Sequence, residues 1–145
     1  MSLFDLQCLE CGQRCEAKIT ELYCEWCSGL LEIAYNFDVS KMGPRLPLNE
    51  VGRQITLGEG GSPTVELKSL GKELGLENLW AKLEYLTPTG SFKDRGSSIL
   101  VSVAQEEGAN EFVEDSSGNA GASLSAFAAA AGMKAHIFVP KNASD

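Results

Sequence analysis

The sequence predicts an α/β chain, a parallel-sheet βαβ domain preceded by a small cysteine-knuckle module. Three observations predict it. All five cysteines fall between positions 8 and 27. Further on, short strand-like runs alternate with helical runs that stop at glycines. Between the two parts lies a stretch from Asn36 to Arg53 that carries Gly43, Pro44, Pro47 and Gly52 and reads as a connection. The expected organisation is a module at 1–37, a linker at 38–53 and an α/β domain at 54–145.

In the module, Cys8-x2-Cys11 and Cys24-x2-Cys27 are separated by twelve residues. Paired C-x2-C knuckles are the usual spelling of a tetrahedral thiolate site. Gly12 after the first pair and Ser28-Gly29 after the second let backbone amides turn toward the sulfurs. Zinc is the expected metal, an iron centre of rubredoxin type the alternative, and reduced free thiols the outcome without a metal. Four thiolates leave no open position for substrate, so the zinc-ribbon-like site reads as structural. Cys15 is expected to stay outside it. Leu30 to Tyr35 reads as a strand leaving the knuckle.

In the second part, Leu57 to Thr64 is a glycine-rich turn. Ser69 to Leu76 reads as a short helix ending at Gly75, and Asn78 to Tyr85 as a strand. Ser91 to Glu107 reads as a helix with an apolar stripe of Ile99, Leu100, Val103 and Ala104, stopped by Gly108. Glu111 to Asp115 is a strand, Ala120 to Ala131 an alanine-rich helix ended by Gly132, and Lys134 to Val139 a third strand. Such alternation predicts a parallel sheet covered on both faces, with ligands at the carboxyl ends of its strands. Trp26 and Trp80 read as packing residues, and His136 as a packed or edge histidine.

Composition narrows the function classes. A hydrophobic fraction of 43% suffices for a packed core. The net charge of −8 and the lack of a basic run argue against a nucleic-acid partner. No apolar stretch approaches the ~20 residues that span a bilayer, so no membrane partner is expected. The start, Met1 to Gly12, lacks the basic and apolar regions of a signal peptide, and a cytoplasmic protein is the expectation.

Two turns carry the chemistry. In Pro88 to Gly96, Ser91 and Asp94 have capping-box spacing, which puts Lys93 in the first turn of a helix. Positive partial charge there disfavours an ammonium, and an uncharged lysine is the amine that forms Schiff bases. The alternative is an exposed lysine behind a cap. Ser116-Ser117-Gly118-Asn119 opens the next helix. It offers free N–H groups and hydroxyls to a carboxylate or phosphate, or else ordinary capping by Ser117 or Asn119.

The spelling PTGSFKDRG followed by SSGNAG resembles the fold type II family of pyridoxal-phosphate enzymes, and within it the threonine synthase branch. Glu59-Gly60-Gly61-Ser62-Pro63 resembles that family's EGGTP motif, with Ser62 where Thr is usual. The resemblance implies that Lys93 is catalytic and binds pyridoxal 5'-phosphate covalently. It implies that Asn119 hydrogen-bonds the cofactor's 3-hydroxyl, and that Ser116, Ser117 and the Gly118 amide hold a substrate carboxylate. Cys8, Cys11, Cys24 and Cys27 resemble the metal-binding knuckles on many bacterial and archaeal members. The implied partner is a small amino-acid substrate, O-phosphohomoserine, with a homodimer as the assembly. The family's phosphate-binding glycine loop is absent from this sequence, as is the residue that contacts the pyridine nitrogen. The chain is therefore expected to be an amino-terminal fragment, inactive alone. The alternatives are threonine dehydratase, cysteine synthase or cysteate synthase, or a zinc-ribbon binding module on a non-catalytic domain.

Overall fold

The computed structural model describes residues 4–18, 21–37, 48 and 54–143. The 38–53 linker lies outside the described residues apart from Leu48, which is buried.

The amino-terminal part is a three-stranded antiparallel sheet. Strand β1 (Phe4–Cys8) runs down its middle, flanked by β2 (Arg14–Cys15) and β3 (Leu31–Tyr35). Its register sets Leu6 opposite both Cys15 and Ile33, and Cys8 opposite Leu31. Gly12, at φ 72°, and Ser28, at φ 59°, turn the chain through the left-handed region just after each knuckle. The Gly12 amide bonds the Cys8 carbonyl and the Ser28 amide the Cys24 carbonyl. The small residues after the second cysteines thus serve the turns. Trp26, expected as packing, is exposed.

The second part begins with a 3₁₀ turn (Glu59–Gly61), strand β4 (Thr64–Glu66) and helix α1 (Lys68–Leu74), which ends at Gly75 in the left-handed region at φ 69°. Strand β5 (Trp80–Lys82) is shorter than the expected 78–85 and pairs antiparallel with β4. It stops because Glu84–Leu86 winds into a 3₁₀ turn, where the Glu84 carboxylate is held by Arg95 and Ser62. Trp80 is exposed rather than packed.

Helix α2 (Lys93–Glu106), strand β6 (Glu111–Asp115), helix α3 (Asn119–Ala130) and strand β7 (Lys134–Phe138) follow. Strands β6 and β7 are parallel, with Glu111 opposite Lys134 and Asp115 opposite Phe138. The expected βαβ unit is therefore β6–α3–β7. The parallel sheet described has these two strands, and β5 belongs to a separate antiparallel pair. Glu111, Val113 and Asp115 are exposed along β6, whereas Phe112 and Glu114 are half-buried.

The core lies between α2, α3 and the covered face of this sheet. Val101, Ala104, Leu124, Phe127, Ala128 and Met133 are buried together, with Phe112, Ala135 and Ile137 against them. Gly121 lets α3 approach β7 closely. A Cβ there would lie 2.8 Å from Ile137 Cγ2 and 3.1 Å from Ser116 Cβ. Gly121→Ala should destabilise the protein by about 1–3 kcal/mol through overpacking, measured as a lower urea midpoint at unchanged slope.

Candidate functional site

The lysine turn is built by short-range hydrogen bonds. Gly90, at φ 77°, reverses the chain, and its amide bonds the Thr87 carbonyl. The buried Thr87 hydroxyl lies 2.7 Å from the Ser91 carbonyl. Lys93 is the first helical residue, but the N-cap is Phe92 rather than the expected Ser91. The Ser91 hydroxyl accepts the Lys93 amide at 3.2 Å. Asp94 does not close a capping box with Ser91. Its carboxylate reaches back to Thr89, accepting that residue's amide at 2.8 Å and its hydroxyl.

Asp94 also joins the two turns. It is fully buried and accepts the Ser123 hydroxyl of α3 at 2.6 Å, with the Ser97 hydroxyl 2.8 Å from Ser123. Burial pushes its carboxyl up, but the bonds from Ser123 and Thr89 outweigh this and hold it below the usual aspartate range.

The Lys93 side chain is exposed, with Nζ 4.8 Å from the Phe92 ring centroid. It lines a hollow of about 360 Å³ with Phe112, Val113 and Glu114 of β6 and Ala120 of α3. The starts of α2 and α3 therefore open on one hollow. Ser116, Ser117, Gly118 and Asn119 lead directly into Ala120. The N-cap of this helix is Gly118 rather than the expected Ser117 or Asn119, and the Ser116 hydroxyl accepts the Gly121 amide at 2.9 Å. Ser117, Gly118 and Asn119 are exposed.

The EGGSP turn is tied to α2 by two sets of bonds. Arg95 forms a bidentate pair with Glu84, at 2.8 and 2.9 Å, and donates to the Ser62 hydroxyl at 3.0 Å. That hydroxyl donates to Glu84, and Lys82 Nζ donates to the Ser62 carbonyl. The Arg95 bond, with Ser62 and the nearby cations adding, lowers the Glu84 pKa. Buried Glu59 accepts the Thr56 hydroxyl and the Leu57 amide. Its carboxyl is also held low, because hydrogen bonds led by Ser98 outweigh burial. Sequence reasoning assigned Glu59 no role of its own. It also passed over Glu114, although the strand's alternation puts a glutamate on the face that carries Phe112.

In the other part, the sulfurs of Cys8, Cys11, Cys24 and Cys27 all lie within 4.8 Å of one another. Cys8 and Cys27 are 3.5 Å apart, and Cys11 and Cys24 3.6 Å. A tetrahedral site with metal–sulfur bonds of about 2.3 Å needs sulfurs about 3.8 Å apart, so the spacing fits zinc. Gly29 is required here, since a Cβ would lie 2.9 Å from Cys8 Sγ. The Cys11 and Glu10 amides favour the Cys8 thiolate and bring its pKa down to about 7. At Cys27 the Gly29 amide acts in the same direction, but contact with the Cys8 and Cys11 sulfurs pushes the thiol up to about 12. Several thiols deprotonated together in so small a volume would call for a cation. Cys15 stands outside the cluster, as expected.

Comparison with known proteins bears on the second part. Residues 55–145 match the family described as "Pyridoxal-phosphate dependent enzyme". The chain belongs to this family. Among its relatives is the threonine synthase of Methanosarcina acetivorans, 33% identical over 95% of this chain and 37% of that protein. The threonine synthase of Methanocaldococcus jannaschii is 35% identical over 93% of this chain and 37% of its own length. That of a Bacillus species is 44% identical over 66% of this chain and 27% of its own. The matches thus span between about a quarter and little more than a third of these curated relatives' lengths. Membership of the family implies pyridoxal phosphate as the cofactor. Among the described residues, no helix is long and apolar enough to cross a membrane. His136 lies exposed beside Glu111, 3.4 Å away, outside the hollow.

The three depressed carboxyls, Asp94, Glu59 and Glu84, make this family member acid-sensitive. The unfolded chain takes up their protons first. Their stabilisation is complete above the ordinary carboxyl range, about pH 4, and is lost as pH falls through the depressed values. Urea unfolding across a pH series should show this decline, with a shallower slope in Asp94→Asn.

Proposed function

We propose that these residues belong to a threonine synthase that converts O-phospho-L-homoserine and water into L-threonine and phosphate. The observation that carries the reading is the shared hollow, which puts an exposed lysine at the start of one helix beside the start of the next. Relatives that are threonine synthases support threonine as the product.

The residues fit pyridoxal phosphate, which supplies an electron sink for carbanion chemistry when bound. Lys93 would hold the cofactor through its amine and would serve as the base that moves protons at the substrate's α- and β-carbons. Asn119, exposed at the first position of α3, holds the cofactor's ring hydroxyl. The exposed Ser117 hydroxyl and Gly118 amide bind the substrate carboxylate, aided by the helix start. Ser116 joins them by donating its hydroxyl proton while its oxygen keeps the Gly121 amide. Asp94 and Ser123 keep the lysine turn and the anion corner in fixed relation.

The test is the full-length enzyme given O-phosphohomoserine, serine and O-acetylserine in turn. Threonine and phosphate should form from the first alone, and Lys93→Ala should lower that turnover by about 10²–10⁴-fold or more. Comparable turnover of serine or O-acetylserine would move the assignment to a dehydratase or a cysteine synthase.

The four-cysteine cluster is proposed as a structural zinc site, at residues 1–37 of the organisation expected from the sequence. Purified protein should carry one zinc per chain and retain it in Cys15→Ser. Cys8→Ser or Cys24→Ser should release it. A strong chelator should unfold the β1–β3 sheet, read from its amide signals, while α2 and α3 persist.

A further inference from the structure

We propose that Glu114 is the positioning residue for Lys93, a carboxylate that holds the lysine ammonium in the hollow between the two helix starts. Glu114 and Lys93 line the same hollow. Among the described residues, Glu114 Oε2 is the buried side-chain oxygen that lacks a hydrogen-bond partner. Such an oxygen calls for a donor.

The surroundings offer one cation to fill that need. On α2, Asp94 is occupied by Thr89 and Ser123, and Arg95 by Glu84. Helix α3 carries no titratable side chain along Asn119–Ala130. On the sheet, Glu111, Asp115, Lys134 and His136 belong to the alternate positions, and His136 pairs with Glu111. Lys93 is the remaining charged group at the hollow, and its flexible four-carbon stem lets the ammonium turn from the Phe92 ring toward β6.

The purpose of this pairing rests on the reading of Lys93 as the cofactor-binding amine, but the pairing can be read without the cofactor.

Two measurements on the present chain test it. Carbodiimide activates a carboxylate and joins it to a touching amine with loss of water. Peptide mapping should then find Lys93 linked to Glu114, and the link should vanish in Glu114→Gln and in Lys93→Met. Reductive methylation with formaldehyde and cyanoborohydride should label Lys93 about tenfold faster in Glu114→Gln, with Lys72 and Lys134 unchanged. Absence of the crosslink, or unchanged Lys93 labelling in a folded Glu114→Gln protein, would overturn the proposal. If Glu114→Gln does not fold, the crosslink in the unaltered chain and its loss in Lys93→Met decide the matter. Neither reagent needs pyridoxal phosphate, so a failed threonine assay and a failed pairing are distinguishable.

Discussion

The buried carboxylate of Asp94 is the contact on which the arrangement of the second part depends. Lys93 and the Ser116–Asn119 turn sit on different helices, and no backbone ladder joins them. Asp94 joins them instead, with one side on Thr89 in the lysine turn and the other on Ser123 in α3. A carboxylate buried without a cation is costly unless neutral donors satisfy it. Here they do, and removing any one of them leaves a charge stranded. The separation of the two turns is thus set by a group that tolerates little slack.

Serines extend the same logic along α2. Ser98 and Ser102 are buried on the same helix. Both serve the segment around Ile55, which belongs to no strand described. Ser98 donates to the Ile55 carbonyl and Ser102 accepts its amide. A buried backbone group outside a sheet needs such a partner. The small serine and alanine side chains also allow α2 and α3 to approach closely, which keeps Asp94 and Ser123 in contact. The EGGSP turn is fastened to α2 by this means on one side and through Arg95 on the other. Serine at position 62 keeps the hydroxyl that links Arg95 to Glu84, and that bond needs no threonine methyl.

How much was legible in the sequence follows from which interactions are local. Helix ends at Gly75, Gly108 and Gly132, and strand β6 in full, are written in neighbouring residues and were read correctly. The four-cysteine set was legible because metal-ligand spacing is a short-range code, and its sulfurs do converge. The lysine at a helix start was legible from the Pro/Gly turn before it. The N-cap was misplaced by one residue, because Asp94 bonds across five positions to Thr89 instead of three to Ser91. Strand β5 was overextended because the pull on Glu84 comes from Arg95 and Ser62, far along the chain. The tryptophans were misjudged because size alone does not decide burial. Glu114 escaped notice because a lone glutamate in a strand looks like a solvated face until the parity with Phe112 is counted.

The two parts of the chain solve the same problem with different means. The amino-terminal sheet is small and leaves Leu22, Tyr23, Trp26 and Leu30 exposed, so apolar burial contributes little there. Its thiols are instead drawn together, with backbone amides favouring charge on Cys8, and a divalent ion would convert their mutual repulsion into cohesion. The βαβ part has an apolar core around Phe127 and can spend its polar contacts on geometry. That difference explains why the sulfur cluster is closed on itself while the lysine is left exposed. Under the proposed function, a structural site would gain from having every position filled, whereas a lysine that would meet an aldehyde has to keep its amine within reach of solvent.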